Sequence, residues 1–223
     1  MGAVFVFALW ILFAATHMGL SSQRLRPRLV ASLGERGFQG VYSLVALATF
    51  VPLVWTYYEN KHAGVYLWTL SRLPGVRWLG YGLMGAAFAL VVAGLVQPSP
   101  AGMVPGSTAV RGVARITRHP LFMGLGLWGL AHLLLATVNA AELAFFGGFP
   151  IFAIVGCDHQ DRRKLAASGS YRAYHDATPF LPFSSPGFLR GLVEVPVPVA
   201  AAAGVALAWA ARSYAHAWLA GGS

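Results

Sequence analysis

Apolar residues run along this chain in six long blocks, roughly 2–20, 38–58, 77–97, 120–138, 140–157 and 196–218, and the stretches between them hold nearly all the charge. A hydrocarbon core needs about 20 helical residues to cross, so each block predicts a helix long enough, or nearly so, to span a membrane. The fourth and fifth are joined only through Val138-Asn-Ala-Ala-Glu142 and predict a tight helical hairpin. Gly147, Gly148 and Pro150 weaken the fifth block and predict a kink in it. In the third, Gly80, Gly82, Gly85, Ala86 and Ala89 offer a small-residue face for close helix packing. The pattern predicts an all-α integral membrane protein: a bundle of about six transmembrane helices forming a single domain over 1–223. Its core covers about 2–195, with an additional C-terminal helix at 196–218.

Composition agrees. The chain is 57% hydrophobic and 10% charged with mean hydropathy +0.62, whereas a soluble domain carries about a quarter charged residues. The formal charge of +9 raises nucleic acid as a partner, but Lys and Arg sit in short blocks between apolar runs. That distribution fits topology control and lipid headgroups, and it excludes a basic nucleic-acid face. No Lys or Arg precedes the first block, while Arg24, Arg26 and Arg28 follow it, the reverse of a signal peptide. The first helix is therefore expected to be uncleaved, with its N-terminus outside. Six spans then place 12 of the 16 Lys and Arg residues inside, leaving Lys61, Arg72, Arg77 and Arg212 outside, as are both termini. Residues 158–195, with mixed charges, tyrosines and a Pro-Phe-rich end, are expected to form a cytoplasmic interfacial cap. The single cysteine, Cys157, rules out an intramolecular disulfide and any one-chain thiolate metal cluster.

The chemistry concentrates in Arg115-Ile-Thr-Arg-His-Pro120, followed at helical spacing by Trp128 and His132. Ionisable groups at membrane depth are costly unless used or paired, so they are functional-site candidates by default. His132 lies about 18 Å along the fourth helix at 1.5 Å per residue, where the ring must be neutral or paired; a metal or a hydrogen bond across helices would serve. Trp128, one turn earlier, would wall a pocket for a cofactor or substrate. His17, near the inner end of the first helix, could supply a partner from a second helix. Pro120 at the first helical position puts Arg115, Arg118 and His119 at a helix N-terminus. That arrangement suits a carboxylate, a phosphate or a haem propionate, or else simple anchoring to headgroups. His119 and His132 are roughly 19 Å apart on one helix and cannot share an ion. His62, His159 and His175 fall in expected loops and read as solvated, while His216 reads as an outer-interface residue. Asn139 and Glu142 read as caps of the fifth helix, and Asp161-Arg162-Arg163 as a local ion-paired element. No nucleophile elbow or Walker loop is present.

These residues resemble the NnrU family, which includes 15-cis-ζ-carotene isomerases. The matching positions are His17, Ser21-Ser22, Leu25-Arg26, Phe38 and Tyr42-Ser43-Leu44, then the Arg115–Pro120 block, Gly124, Leu127-Trp128, Leu130-Ala131-His132 and Asn139. Asp161-Arg162-Arg163, Tyr171, Thr178 and Pro182-Phe183 complete the match. The resemblance implies haem b held by His17 and His132, with Arg115, Arg118, His119 and Trp128 as cofactor contacts. Trp128 and Asn139 would touch a lipophilic polyene whose cis double bond isomerises without net redox change. An electron donor would keep the iron reduced, and the setting would be a bacterial inner membrane. The isomerases carry a cysteine one turn before the ligand histidine where this chain has Gly129, so ligand exchange through that thiol is absent. Other family members are tied to nitrite and nitric oxide metabolism in denitrifying bacteria. A more distant similarity of the Arg-His-Pro block and of Tyr171–Pro182 to membrane isoprenylcysteine methyltransferases implies S-adenosylmethionine as the alternative cofactor. There Asp158, His159, Gln160 and Asp161 replace the expected glutamate pair.

Overall fold

A computed structural model describes residues 1–102, 106–167 and 169–215. His216 and the end of the sixth apolar block lie outside these residues. The order is α1 (Gly2–Leu20), α2 (Leu25–Asn60), β1 (Tyr66–Trp68), α3 (Val76–Val96), α4 (Pro120–Leu135), β2 (Val138–Asn139), α5 (Ala140–Ala167), α6 (Gly169–Ala177), α7 (Phe188–Val193) and α8 (Val197–Ala210). Four helices, α1, α2, α3 and α5, are long and apolar enough to cross a membrane. The 16 residues of α4 and the 14 of α8 are shorter than the sequence blocks that predicted them. The chain leaves α4 at Ala136, in extended conformation, to enter the strand pair.

Two helices are longer than expected. Helix α2 absorbs the arginine-rich segment before residue 38 and bends at Gly34, whose φ of 71° takes it out of the helical region. Helix α5 runs through Pro150 and past residue 157 to Ala167, so Asp158–Lys164 is helical and not loop. The hairpin between α4 and α5 is closed by β1 and β2, with Tyr66 opposite Asn139 and Trp68 opposite Val138. Buried Glu142 holds that closure, accepting the backbone N–H groups of His62 at 2.6 Å and Asn139 at 3.1 Å.

Helix α5 packs on both α1 and α4, α4 packs also on α3, and α3 on α8. Small residues allow this closeness. A Cβ on Gly124 would lie 2.7 Å from the Ala87 carbonyl oxygen, and one on Gly204 would lie 2.5 Å from the Ala89 nitrogen. The expected face on α3 is therefore used: Gly80 abuts Leu135 and Ala89 abuts Gly204, though Gly82 has open space. One apolar cluster joins Val6, Trp10, Phe13, Leu53, Phe145 and Phe146, and a second joins Leu90, Ala93, Val113, Ile116, Val197 and Ala200.

Candidate functional site

The Arg115–Pro120 block folds inward. His119 caps α4, Pro120 begins it, and both are buried. Facing them from α5 is Asp161, 4% exposed, which organises a polar hub. Its Oδ2 accepts from Arg118 Nε at 2.7 Å, and its Oδ1 accepts from Tyr171 Oη at 2.6 Å. His119 Nε2 lies 2.8 Å from the same Oδ1. Arg118 also donates through Nη1 to the Thr178 carbonyl at 2.7 Å, and its Nη2 lies 3.2 Å from His175 Nε2. A guanidinium has no acceptor, so His175 Nε2 must accept and its Nδ1 must donate to Asp176.

The same logic fixes His119. Its Nδ1 is buried without a hydrogen-bond partner among the described residues, so Nε2 carries the proton given to Asp161. Burial lowers the ring's pKa below its ordinary value, although Asp161 pulls it upward, and the imidazole is neutral. Burial also raises the Tyr171 phenol, and the carboxylate it touches raises it further, so Tyr171 stays a donor. Ser99 Oγ donates to the Arg118 carbonyl at 2.7 Å and lies 3.0 Å from Tyr174 Oη. Arg115 is committed elsewhere, with its Nε 3.2 Å from both carboxylate oxygens of Glu194, which also accepts the Gly112 N–H. The positive φ of Gly112, 54°, turns the chain to make that contact. Arg115, Arg118 and His119, expected to receive a cofactor's acidic group, are thus engaged with the chain's own carboxylates.

His17 and His132 face two different cavities. His17, Ser21, Phe38, Tyr42, Phe122, Phe152, Cys157, His159 and Arg163 are among the residues around a space of about 570 Å³ bounded mainly by α1, α2 and α5. The His17 ring lies 4.6 Å from that of Tyr42 and 5.4 Å from that of Phe152, and its Nδ1 is buried without a hydrogen-bond partner among the described residues. Ser21 Oγ donates to the His17 carbonyl at 2.9 Å and lies 3.3 Å from His159 Nε2. His159, read from sequence as solvated, therefore shares the cavity of His17. Cys157, far in sequence from every cavity residue of α1 and α2, is in the same wall.

His132 and Trp128 line an apolar space of about 850 Å³ between α3, α4 and α8. His132 Nδ1 lies 2.9 Å from the Trp128 carbonyl, which makes Nδ1 the protonated nitrogen, and its ring stacks on Phe146 at 4.3 Å. Between the two histidines runs a continuous line of aromatic contacts. Trp128 meets Phe149 at 5.0 Å, Phe149 meets Trp10 at 5.0 Å, and Trp10 meets Phe152 at 6.0 Å. Asn139 lines neither of these cavities, and its amide donates to the His62 carbonyl at 2.8 Å.

Sequence reading missed Asp161 as the hub, although a signal was there. Once α5 is allowed to continue, Cys157, Asp161 and Lys164 recur at helical spacing and share one face. Glu194 had no such signal, since its partners Gly112 and Arg115 lie about 80 residues away.

The family profile described as NnrU protein matches residues 4–223. The chloroplastic 15-cis-zeta-carotene isomerase of Zea mays is 26% identical over 191 residues, 82% of this chain and 50% of its own length. That of Arabidopsis thaliana is 28% identical over 186 residues, 78% of this chain and 48% of its own. The chain thus spans about half the length of the curated relatives it matches. No solved structure matches it.

Proposed function

The chain belongs to the NnrU family, and from that membership we propose that it is a membrane-embedded haem-b protein that isomerises a lipophilic polyene. The observation that carries the reading is the pair of cavities. Each falls in the range of about 300–1,000 Å³ that holds cofactors and small ligands. One is aromatic-walled with a buried imidazole, and the other is apolar and lies beside His132 and Trp128.

The residues around His17 fit a haem. The His17 imidazole lines the cavity and would be the residue to hold the iron, Phe38, Phe122 and Phe152 would flank the macrocycle, and cations stand in the wall. Bound there, reduced haem supplies an iron that can loosen a double bond without net electron transfer. This chain's own part would be to hold the iron through the His17 imidazole, keep the two cavities apart and present an apolar cavity to the polyene. His132 would reach the same iron as a second ligand only if Trp128, Phe146 and Phe149 repack. In the observed packing its Trp128-bonded ring faces the apolar cavity, where a polyene would lie.

The same reading takes α4 and α8 as two further crossings, for six in all with both termini outside a cell membrane and the hub on the cytoplasmic side. The deciding experiment is the visible spectrum of detergent-purified protein, oxidised and dithionite-reduced, for the wild type, His17→Ala and His132→Ala. The expected result is a Soret band lost in His17→Ala. A His132→Ala spectrum changed from low to high spin would assign His132 as second ligand, and an unchanged one would assign it to the polyene side. A wild type that stays colourless after haem is supplied, or equal haem content in wild type and His17→Ala, overturns the reading.

A further inference from the structure

Three basic side chains, Arg26, Arg163 and Lys164, line the cavity of His17, with Glu35 as the one acidic side chain in its lining. Two of the three are already engaged. Arg26 Nη2 pairs with Glu35 Oε1 at 2.5 Å. Lys164 Nζ donates to the carbonyls of Pro100 and Gly102. Arg163 is different: its Nε is buried with no hydrogen-bond partner among the described residues, and it feels Arg26 as a repelling charge and Glu35 and Tyr42 as attracting ones. A buried donor on a charged group is costly to leave unmet, and a guanidinium offers a planar fork suited to a carboxylate or phosphate. Phe38, Phe122, Phe152 and Met18 form the apolar part of the wall, beside the polar side chains of Ser21, Gln39, Ser43 and Gln160.

We infer that Arg163 receives the acidic end of an amphipathic ligand whose apolar body lies against these aromatic side chains. This inference uses the cavity in which the haem reading places its cofactor, but it does not require haem. A haem propionate and the carboxylate of a lipid acid present the same chemistry to Arg163. It replaces Arg118, which sequence reading put in this role and which Asp161 occupies.

The test measures binding to the purified apo-protein in detergent with two matched pairs: hemin against its dimethyl ester, and a fluorescent fatty acid against its methyl ester. Each pair is run on the wild type, Arg163→Gln and Arg163→Lys. The ratio of acid to ester affinity within one variant is insensitive to a modest loss of folded protein. The expected result is a wild-type preference for the acid of about tenfold or more in at least one pair, abolished by Arg163→Gln and largely kept by Arg163→Lys. A preference in the hemin pair supports both this inference and the haem reading. A preference in the fatty-acid pair alone, with no hemin binding, supports the inference and refutes the haem reading. No preference in either pair, or one that survives Arg163→Gln unchanged, overturns the inference.

Discussion

Replacing Asp161 with asparagine keeps the shape of the hub and removes its charge. The wild-type carboxylate takes three donors, from Arg118, His119 and Tyr171, at 2.6–2.8 Å. Asparagine can still accept from His119 and Tyr171 through one oxygen, but its NH₂ then faces the Arg118 guanidinium, donor against donor. Arg118 is 7% exposed and would be left as a buried cation without a counter-charge. Stranding one member of a buried pair costs about 3–5 kcal/mol, a large part of the roughly 5–15 kcal/mol that holds a typical protein folded. The assay is sodium dodecyl sulfate titration of the protein in mixed micelles, followed by tryptophan fluorescence. Asp161→Asn should lower the unfolding free energy by that amount. Adding Arg118→Met should return part of the loss, because the stranded charge goes with it. An Asp161→Asn effect under about 1 kcal/mol would refute the idea that the hub is a charge-balanced unit, as would a double variant that loses the full sum of the two single effects.

Gly129→Cys places a thiol one turn before His132, and it should destabilise the protein by about 1–3 kcal/mol through overpacking. A Cβ there would lie 2.5 Å from the Phe146 carbonyl oxygen, and an unfolding midpoint equal to wild type would show that α4 and α5 separate freely. His119 sets a pH response. Its folded pKa is lowered by burial, so the unfolded chain takes up a proton that the native ring refuses. Stability should be complete above the ordinary histidine value of about 6.5 and fall as pH drops below it. Thermal midpoints between pH 8 and pH 5 should slope less in His119→Gln, and an equal slope would assign the response to another group.

The apolar blocks at α1, α3 and the hairpin were legible because hydrophobic length is read directly from sequence. The start of α4 was legible too, since His119-Pro120 is a local signal for a helix N-terminus. What was lost were the ends of helices whose boundaries are set by tertiary partners. Asp158–Lys164 is polar enough to read as loop, yet α5 continues because Asp161 is neutralised by residues about 43 positions away. Arg118 looked like a ligand-binding residue for the same reason: its counter-charge comes from a distant helix. His17 and His132 sit on two different helices, α1 and α4, as their apolar blocks predicted. That they face separate cavities depends on Trp10, Phe149 and Phe152, whose meeting no periodicity announces.

The hub also fixes an order of biogenesis. Arg118 is synthesised before every group that accepts from it: Asp161, His175 and the carbonyls of Thr178 and Pro179. Until the far end of α5 has been added, the segment leading into α4 carries a cation whose counter-charge is not yet in the chain. A chain that stops short of Asp161 therefore carries Arg118 without the carboxylate that balances it in the finished fold.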